Sequence, residues 1–321
     1  MITPPPAIAA SAALQRGKPL RGIVLKVASV CFFVVMATLL KATGTIPAGE
    51  LVFFRCFFAI LPVVAWLLWR GQLRSALHTR NPVGHVVRAL VGASSMGLGF
   101  FALTRLPLPE ATAIGFAAPL LIVVFSAVLL KERVYIFRWT AVIVGLFGVV
   151  IILWPRLTLF SSGQAMGSAE TTGAIAAFGA AIFTAFALMQ VRKLTQTERT
   201  EAIVIYFFIS ASILSLATIP FGWTMPTPEQ AVLLVGAGFA GGIGQLLMTS
   251  SYRYADMSVI APFEYVSLLL TLVIGFLVFG DVPTLSMVIG AVIIVLSGIV
   301  VILREHYLGL DRAKARQAST P

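Results

Sequence analysis

Ten apolar runs, each close to the length of a bilayer span, follow one another along the chain. They fall at about 21–41, 49–70, 84–104, 109–130, 135–153, 171–191, 201–220, 229–250, 258–278 and 283–303, with Pro, Gly and charged residues between them. Crossing the hydrocarbon takes about 20 apolar residues of helix but only about 9–11 of a barrel strand, so runs of this length predict helices. Backbone groups in lipid must find their hydrogen bonds within the segment, which excludes irregular or open-sheet alternatives. Composition agrees. With 59% apolar and 11% charged residues, the chain lies outside the soluble range of about 45–50% and about 25%. The expected fold class is all-α integral membrane, with ten transmembrane helices.

The basic residues orient these runs. With the N-terminus placed inside, alternate connections carry Arg16, Lys18 and Arg21, then Arg70, Arg74, Arg80 and Arg88, then Lys131, Arg133 and Arg138, then Arg192, Lys193 and Arg199, then Arg253, and last Arg304, Arg312, Lys314 and Arg316. The other connections hold only Lys41, Arg105 and Arg156. Cytoplasmic loops carry the Lys/Arg excess, so both termini are expected in the cytoplasm of a multi-pass inner-membrane protein. The excess of Lys and Arg (23) over Asp and Glu (12) therefore marks loops; without a basic cluster interleaved with aromatics it does not point to nucleic acid. Cys31 and Cys56 both fall inside apolar runs, where a thiol behaves as a small apolar group, so no disulfide or metal site is expected. The opening residues lack the pattern of a cleaved signal peptide.

Two short acidic interruptions reveal an internal repeat. Leu129-Leu-Lys-Glu132-Arg separates runs four and five, and Phe279-Gly280-Asp281-Val-Pro separates runs nine and ten. Glu132 falls on the inner side and Asp281 on the outer side, so a five-run unit repeats with its orientation reversed. Gly148-Val-Val-Ile-Ile-Leu153 and Gly298-Ile-Val-Val-Ile-Leu303 close the two halves alike, although Leu/Ile/Val-rich helices resemble one another for plain reasons. The reading is two inverted five-helix repeats. Glu132 and Asp281 serve as markers of that symmetry, and as acidic groups placed to stabilise the start of the helix that follows.

Several segments carry a family resemblance: Glu50-Leu-Val-Phe-Phe-Arg55, Lys131-Glu132, Ala261-Pro262-Phe263-Glu264-Tyr265 and Phe279-Gly280-Asp281-Val-Pro283-Thr. In these the chain resembles the EamA units of the drug/metabolite transporter superfamily over nearly its whole length. It departs from the pattern at Asp281, where many members carry Glu, and at Val134, where the second copy keeps Pro283. The resemblance implies a cytoplasmic tail at 1–20, repeat one at 21–154, an outer linker at 155–170, repeat two at 171–303 and a cytoplasmic tail at 304–321. Leu25-Lys26-Val-Ala-Ser, the run from Met36 to Gly44, and Leu106-Pro-Leu-Pro109-Glu110-Ala-Thr-Ala-Ile114 look most like a bacterial branch that includes riboflavin importers. What this implies is a secondary transporter taking up riboflavin, with export or exchange of amino acids or S-adenosylmethionine as the alternative. No cofactor is implied, and homodimerisation stays open.

An ionisable group at bilayer depth costs about 2.5–3.5 kcal/mol on insertion scales, so Lys26, Arg55 and Glu264 each ask for a reason. Lys26 lies about five residues, and Glu264 about six, from the inner ends of runs one and nine, which at ~1.5 Å per residue gives both a similar depth. They are expected to be able to pair. Snorkelling of Lys26 and a structural bond for Glu264 are the plain alternatives. Arg55 stays charged and can clamp an anionic or carbonyl-rich group, or else tie to Glu50, Glu110 or helix-end carbonyls. Tyr265 and Gln245 add hydrogen-bonding groups on second-half runs, with Tyr252 a weaker candidate because Tyr also anchors span ends. Pro119 and Pro262 are expected to kink runs four and nine. Gly236-Ala-Gly238-Phe-Ala-Gly241 matches a dinucleotide fingerprint in letters only; inside run eight it reads as a smooth packing face.

Other classes fare worse. An intramembrane protease needs a membrane-buried His with its Ser, or metal ligands such as H-E-x-x-H, whereas His78, His85 and His306 lie in or beside the cytoplasmic segments. No repeated polar filter suggests a channel, and no Walker motif suggests ATP-driven transport. Alternating access about a midplane site is the expected mechanism.

Overall fold

A computed structural model describes residues 19–44, 46–71, 73, 77–79, 81–129, 136–157, 169–194, 197–254 and 261–318. The Lys131-Glu132 element, Val134, most of the 1–20 tail and most of the 155–170 linker lie outside the described residues.

The described residues are helical, with no strand. The helices are α1 (Pro19–Ala42), α2 (Ala48–Trp69), α3 (Pro82–Leu103), α4 (Leu108–Gly115), α5 (Ala117–Leu129), α6 (Ile136–Leu157), α7 (Ala169–Leu194), α8 (Thr200–Leu216), α9 (Pro228–Tyr254), α10 (Val266–Phe279) and α11 (Leu285–Ala318). A 3-10 turn at Ala261–Tyr265 leads into α10. Six segments are long and apolar enough to cross a membrane: α1, α2, α3, α4 with the start of α5, α7 and α9. Shorter apolar stretches lie in α6, α8, α10 and α11. Helix α11 carries on through residues expected to form a C-terminal tail, to Ala318.

Local chemistry sets several boundaries. Asn81 caps α3 by accepting the Gly84 amide at 2.9 Å, and Pro82 follows at the first helical position, where its missing N–H costs nothing. Gly280 closes α10 with φ 68°, a conformation that costs a glycine little. The fourth apolar run is divided at Phe116. Pro119 has no N–H to offer the Gly115 carbonyl four residues back, which accounts for a break one turn before the proline. Pro262, by contrast, lies in the 3-10 turn that precedes α10. It stands near a helix start and not inside a helix, so the expected mid-helix kink is corrected to an entry turn.

Packing follows an exchange rule. Helix α1 packs on α9 and α3 packs on α7; α2 packs on α9 and α3 on α8; α2 meets α8, and α6 meets α11. Swapping the nth segment of one half for the nth of the other maps this set onto itself. Two apolar clusters result, and each draws on both halves. One gathers Leu40, Leu51, Cys56, Val63, Phe208 and Leu234; the other gathers Ile114, Ala117, Ile152, Ala177, Ala185 and Leu268. The glycines of α9 allow a close approach: a Cβ on Gly242 would meet the Ala59 carbonyl oxygen of α2 at 2.8 Å. Large apolar side chains such as Phe147, Trp154, Ile213 and Leu277 cover the outside, as a surface facing lipid requires.

Candidate functional site: buried charges between the halves

Two lysines on α1 fasten it to the ninth segment, one near each end. Lys26 is buried and its Nζ donates to Glu264 Oε1 at 2.5 Å. The ammonium side is shielded, with a side chain 3% exposed, while Glu264 keeps 36%. Ser29 Oγ donates to the Lys26 carbonyl at 2.8 Å and Ser267 Oγ to the Glu264 carbonyl at 2.6 Å, which anchors both backbones around the pair.

At the other end, Lys41 Nζ donates to Asp281 Oδ2 at 2.9 Å and to the Leu106 carbonyl at 3.0 Å, and lies 5.0 Å from the Phe279 ring centre. Asp281 Oδ2 also accepts the Leu108 amide at 3.2 Å. This corrects the expectation that Asp281 supports the helix that follows it. Helix α11 starts only at Leu285, and the amide that Asp281 satisfies belongs to the first turn of α4, in the other half, where an orphan donor and the positive end of the helix favour a carboxylate.

Arg55 and Arg88 form a second buried feature. Arg55, on α2 and 3% exposed, contacts Met36 Sδ at 3.4 Å and Cys56 Sγ at 3.7 Å through its nitrogens, with its guanidinium 4.9 Å from the Phe208 ring centre. The tie to Glu50 or Glu110 that a purely architectural role would use is not made. Glu50 accepts the Thr224 amide at 3.0 Å, and no carboxylate of the described residues lies within 4.0 Å of Arg55. Arg88, on α3, is buried with its guanidinium 4.1 Å from the Phe207 ring centre.

The remaining candidates are spread around these charges. Tyr265 places its ring 5.0 Å from that of Phe116 and its hydroxyl over Gly298, where no Cβ would fit; it braces the ninth segment against its neighbours. Gln245 is half-buried on α9, one turn beyond Gly241, and its carbonyl accepts from Thr249 at 2.6 Å. No side-chain hydrogen bond joins Gln245 or Tyr265 to Lys26, Glu264 or Arg55 among the described residues. For Tyr252 and Pro262 only the backbone is described. Among the described residues no group of three metal-ligating side chains occurs.

A cavity of about 680 Å³ opens at the Lys41 end of α1. Ile46, Gly49, Phe101, Thr104 and Arg105 line it from one half, and Thr218, Phe221 and Trp223 from the other. Arg105 lies flat on Phe101, its guanidinium 4.3 Å from the ring centre, and donates to Thr172 at 3.1 Å.

Sequence reasoning missed Lys41 and Arg88. Both had been assigned to connections, because each stands near the edge of an apolar run. Arg88 nevertheless lies six residues past Pro82, about as deep as Lys26, and counting depth from the capping Asn81-Pro82 pair would have singled it out.

Comparison with known proteins now adds to this geometry. The sequence profile of the EamA-like transporter family matches residues 20–154 and 171–304. The pseudopaline exporter CntI of Pseudomonas aeruginosa is 28% identical over 278 residues, covering 86% of this chain and 94% of that one. An S-adenosylmethionine uptake transporter of Rickettsia prowazekii is 28% identical over 83% of this chain and 86% of its own length. A riboflavin transporter of Vibrio cholerae is 29% identical over 78% and 82%. The two matched segments cover most of the chain, and with them the protein belongs to the EamA-like transporter family, within the drug/metabolite transporter superfamily.

Proposed function

We propose that the protein is a secondary carrier that moves a small metabolite across the inner membrane by alternating access. Its ten segments are taken as ten spans, in two inverted halves with both termini cytoplasmic. The observation that carries this reading is the exchange rule in the packing: two family-matched units, each of five apolar segments, meet so that swapping the halves preserves the contacts. An odd number of spans per unit reverses the second copy, and rocking of such halves about a shared site is the way inverted repeats transport. The ion pairs Lys26–Glu264 and Lys41–Asp281 join first-half helix α1 to the second half near opposite ends, which suits elements that break and re-form as the halves rock. Glu264 is then the coupling candidate, since its carboxyl reaches accessible space while its partner does not.

Riboflavin uptake is the cargo reading tested first. Export or exchange of amino acids or S-adenosylmethionine is the second, and it draws support from the arginines buried without carboxylates. Relatives named for riboflavin and for S-adenosylmethionine lie at nearly equal identity, and one relative is an exporter. Membrane vesicles carrying the protein, loaded or bathed with labelled riboflavin, S-adenosylmethionine or amino acids, separate these readings. Saturable movement of one compound, competed by its unlabelled form and absent from control vesicles, is the expected result. Movement that never saturates contradicts the carrier reading.

A further inference from the structure

Two positive charges lie buried between the halves with no negative charge to match them. Arg88 is 8% exposed; its Nε and Nη1 are fully shielded and have no hydrogen-bond partner. Arg55 finds only sulfur acceptors, on Met36 and Cys56. The guanidiniums stack on Phe207 and Phe208, neighbours on α8 whose ring centres are 5.6 Å apart. The two charges therefore converge on one turn of α8.

The protein's own carboxylates do not resolve this. Glu198 is engaged by Thr79 at 3.1 Å and lies 3.9 Å from His85 Nε2, Glu50 is held by Thr224, and neither arginine forms an ion pair among the described residues. Stacking on an aromatic face recovers only part of the cost of burying a cation. An unpaired buried charge is among the least favourable arrangements a protein can hold. The backbone has nevertheless made room for both groups. A Cβ on Gly92 would overlap Arg88 Nη1, and one on Gly241 would stand 3.0 Å from Arg55 Nε.

We propose that Arg55 and Arg88 form an anion site between α2, α3 and α8 that takes the carboxylate of the transported molecule, an inference that rests on the carrier reading above. A planar guanidinium fork matches a carboxylate in two parallel hydrogen bonds, and the unpartnered Nε and Nη1 of Arg88 each belong to such a fork, one on either side of Nη2. Met36, Cys56, Met96 and the two phenylalanine rings offer the rest of that molecule an apolar, polarisable wall. The cargo is thus an amphipathic metabolite with a free carboxylate, which favours the amino-acid and S-adenosylmethionine reading over riboflavin, a molecule that has none.

Thermal unfolding of the purified full chain in detergent tests this with matched probes: phenylalanine against phenylethylamine, S-adenosylmethionine against its decarboxylated form, and benzoate against benzamide. At saturating concentration at least one carboxylate is expected to raise Tm by about 2–4 °C while its partner lacking the carboxylate moves it by less than 1 °C. Arg88→Gln is expected to abolish that difference while leaving the unliganded Tm at or above that of the wild type, because it removes an unmatched charge. Arg88→Lys keeps a charge without the fork and is expected to retain a reduced shift. The proposal is overturned if no carboxylate outperforms its counterpart, if the shift survives Arg88→Gln, or if chloride alone reproduces it. Saturable transport of riboflavin together with no carboxylate-specific shift would remove the anion site and leave the carrier intact. A carboxylate-specific shift without transport of any probe would do the reverse.

Discussion

Asp281 carries two tasks in one oxygen, and separating them gives a graded outcome. Its Oδ2 pairs with Lys41 at 2.9 Å and accepts the Leu108 amide at 3.2 Å. Asp281→Asn removes the charge but keeps an oxygen for Leu108; Asp281→Ala removes both partners. A hydrogen bond to a charged group contributes about 1.5–3 kcal/mol. The Lys41 and Asp281 side chains are 15% and 18% exposed, so some screening by water applies and the lower end is the better figure. An uncapped amide in the first turn of a helix, here partly buried, adds about 1.5 kcal/mol. The expected losses are about 1.5 kcal/mol for Asp281→Asn and about 3 kcal/mol for Asp281→Ala. At roughly 2 °C per kcal/mol for a chain of this size, Tm should fall by about 3 °C and about 6 °C. Thermal unfolding of the purified variants in one detergent measures both. Equal losses would show that Leu108 does not depend on Asp281, and losses below 1 °C would remove the pair from the account altogether.

Other outcomes follow from the same contacts. Lys26→Met and Glu264→Gln should each slow transport in vesicles, and the double variant should be no worse than the more damaging single one, a coupling of at least about 1 kcal/mol; losses that simply multiply would show that the pair does not act as a unit. Gly242→Leu forces a side chain against the Ala59 carbonyl and Pro62 of α2 and should sharply reduce the monodisperse protein recovered after solubilisation, while Val232→Leu, at an exposed site on the same helix, should leave the yield unchanged. Equal yields would contradict the close α2–α9 contact.

What the sequence revealed and what it hid divide along a physical line. Features set by one or two turns of chain were legible. Apolar run length located the helices, and Pro119 pointed to an irregularity in the fourth run, which breaks beside Phe116. The meeting of Lys26 and Glu264 was also within reach, because depth along a span is a one-dimensional quantity that charge spacing reports. Contacts set by rotation of one helix about another were not. Asp281 satisfies Leu108, 173 residues earlier, and nothing local distinguishes that amide from the nearer start of α11. Arg88 looked like a loop cation because it stands near the edge of an apolar run that opens with Gly84 and His85; its burial comes from Phe207 on a helix more than a hundred residues away. Arg55 was recognised as unusual, but its want of a carboxylate appears only when Glu50 is seen to be occupied by Thr224.

The central claim is that two halves move against each other, and it is tested most directly across the 680 Å³ cavity. Spin labels at Thr104 in the first half and Phe221 in the second flank that opening. Their distance distribution, measured by pulsed electron resonance in lipid nanodiscs, should contain two populations, with the shorter one depleted when a pair placed at the opposite end of the helices becomes shorter. A single narrow distance under every condition of cargo and pH would contradict alternating access.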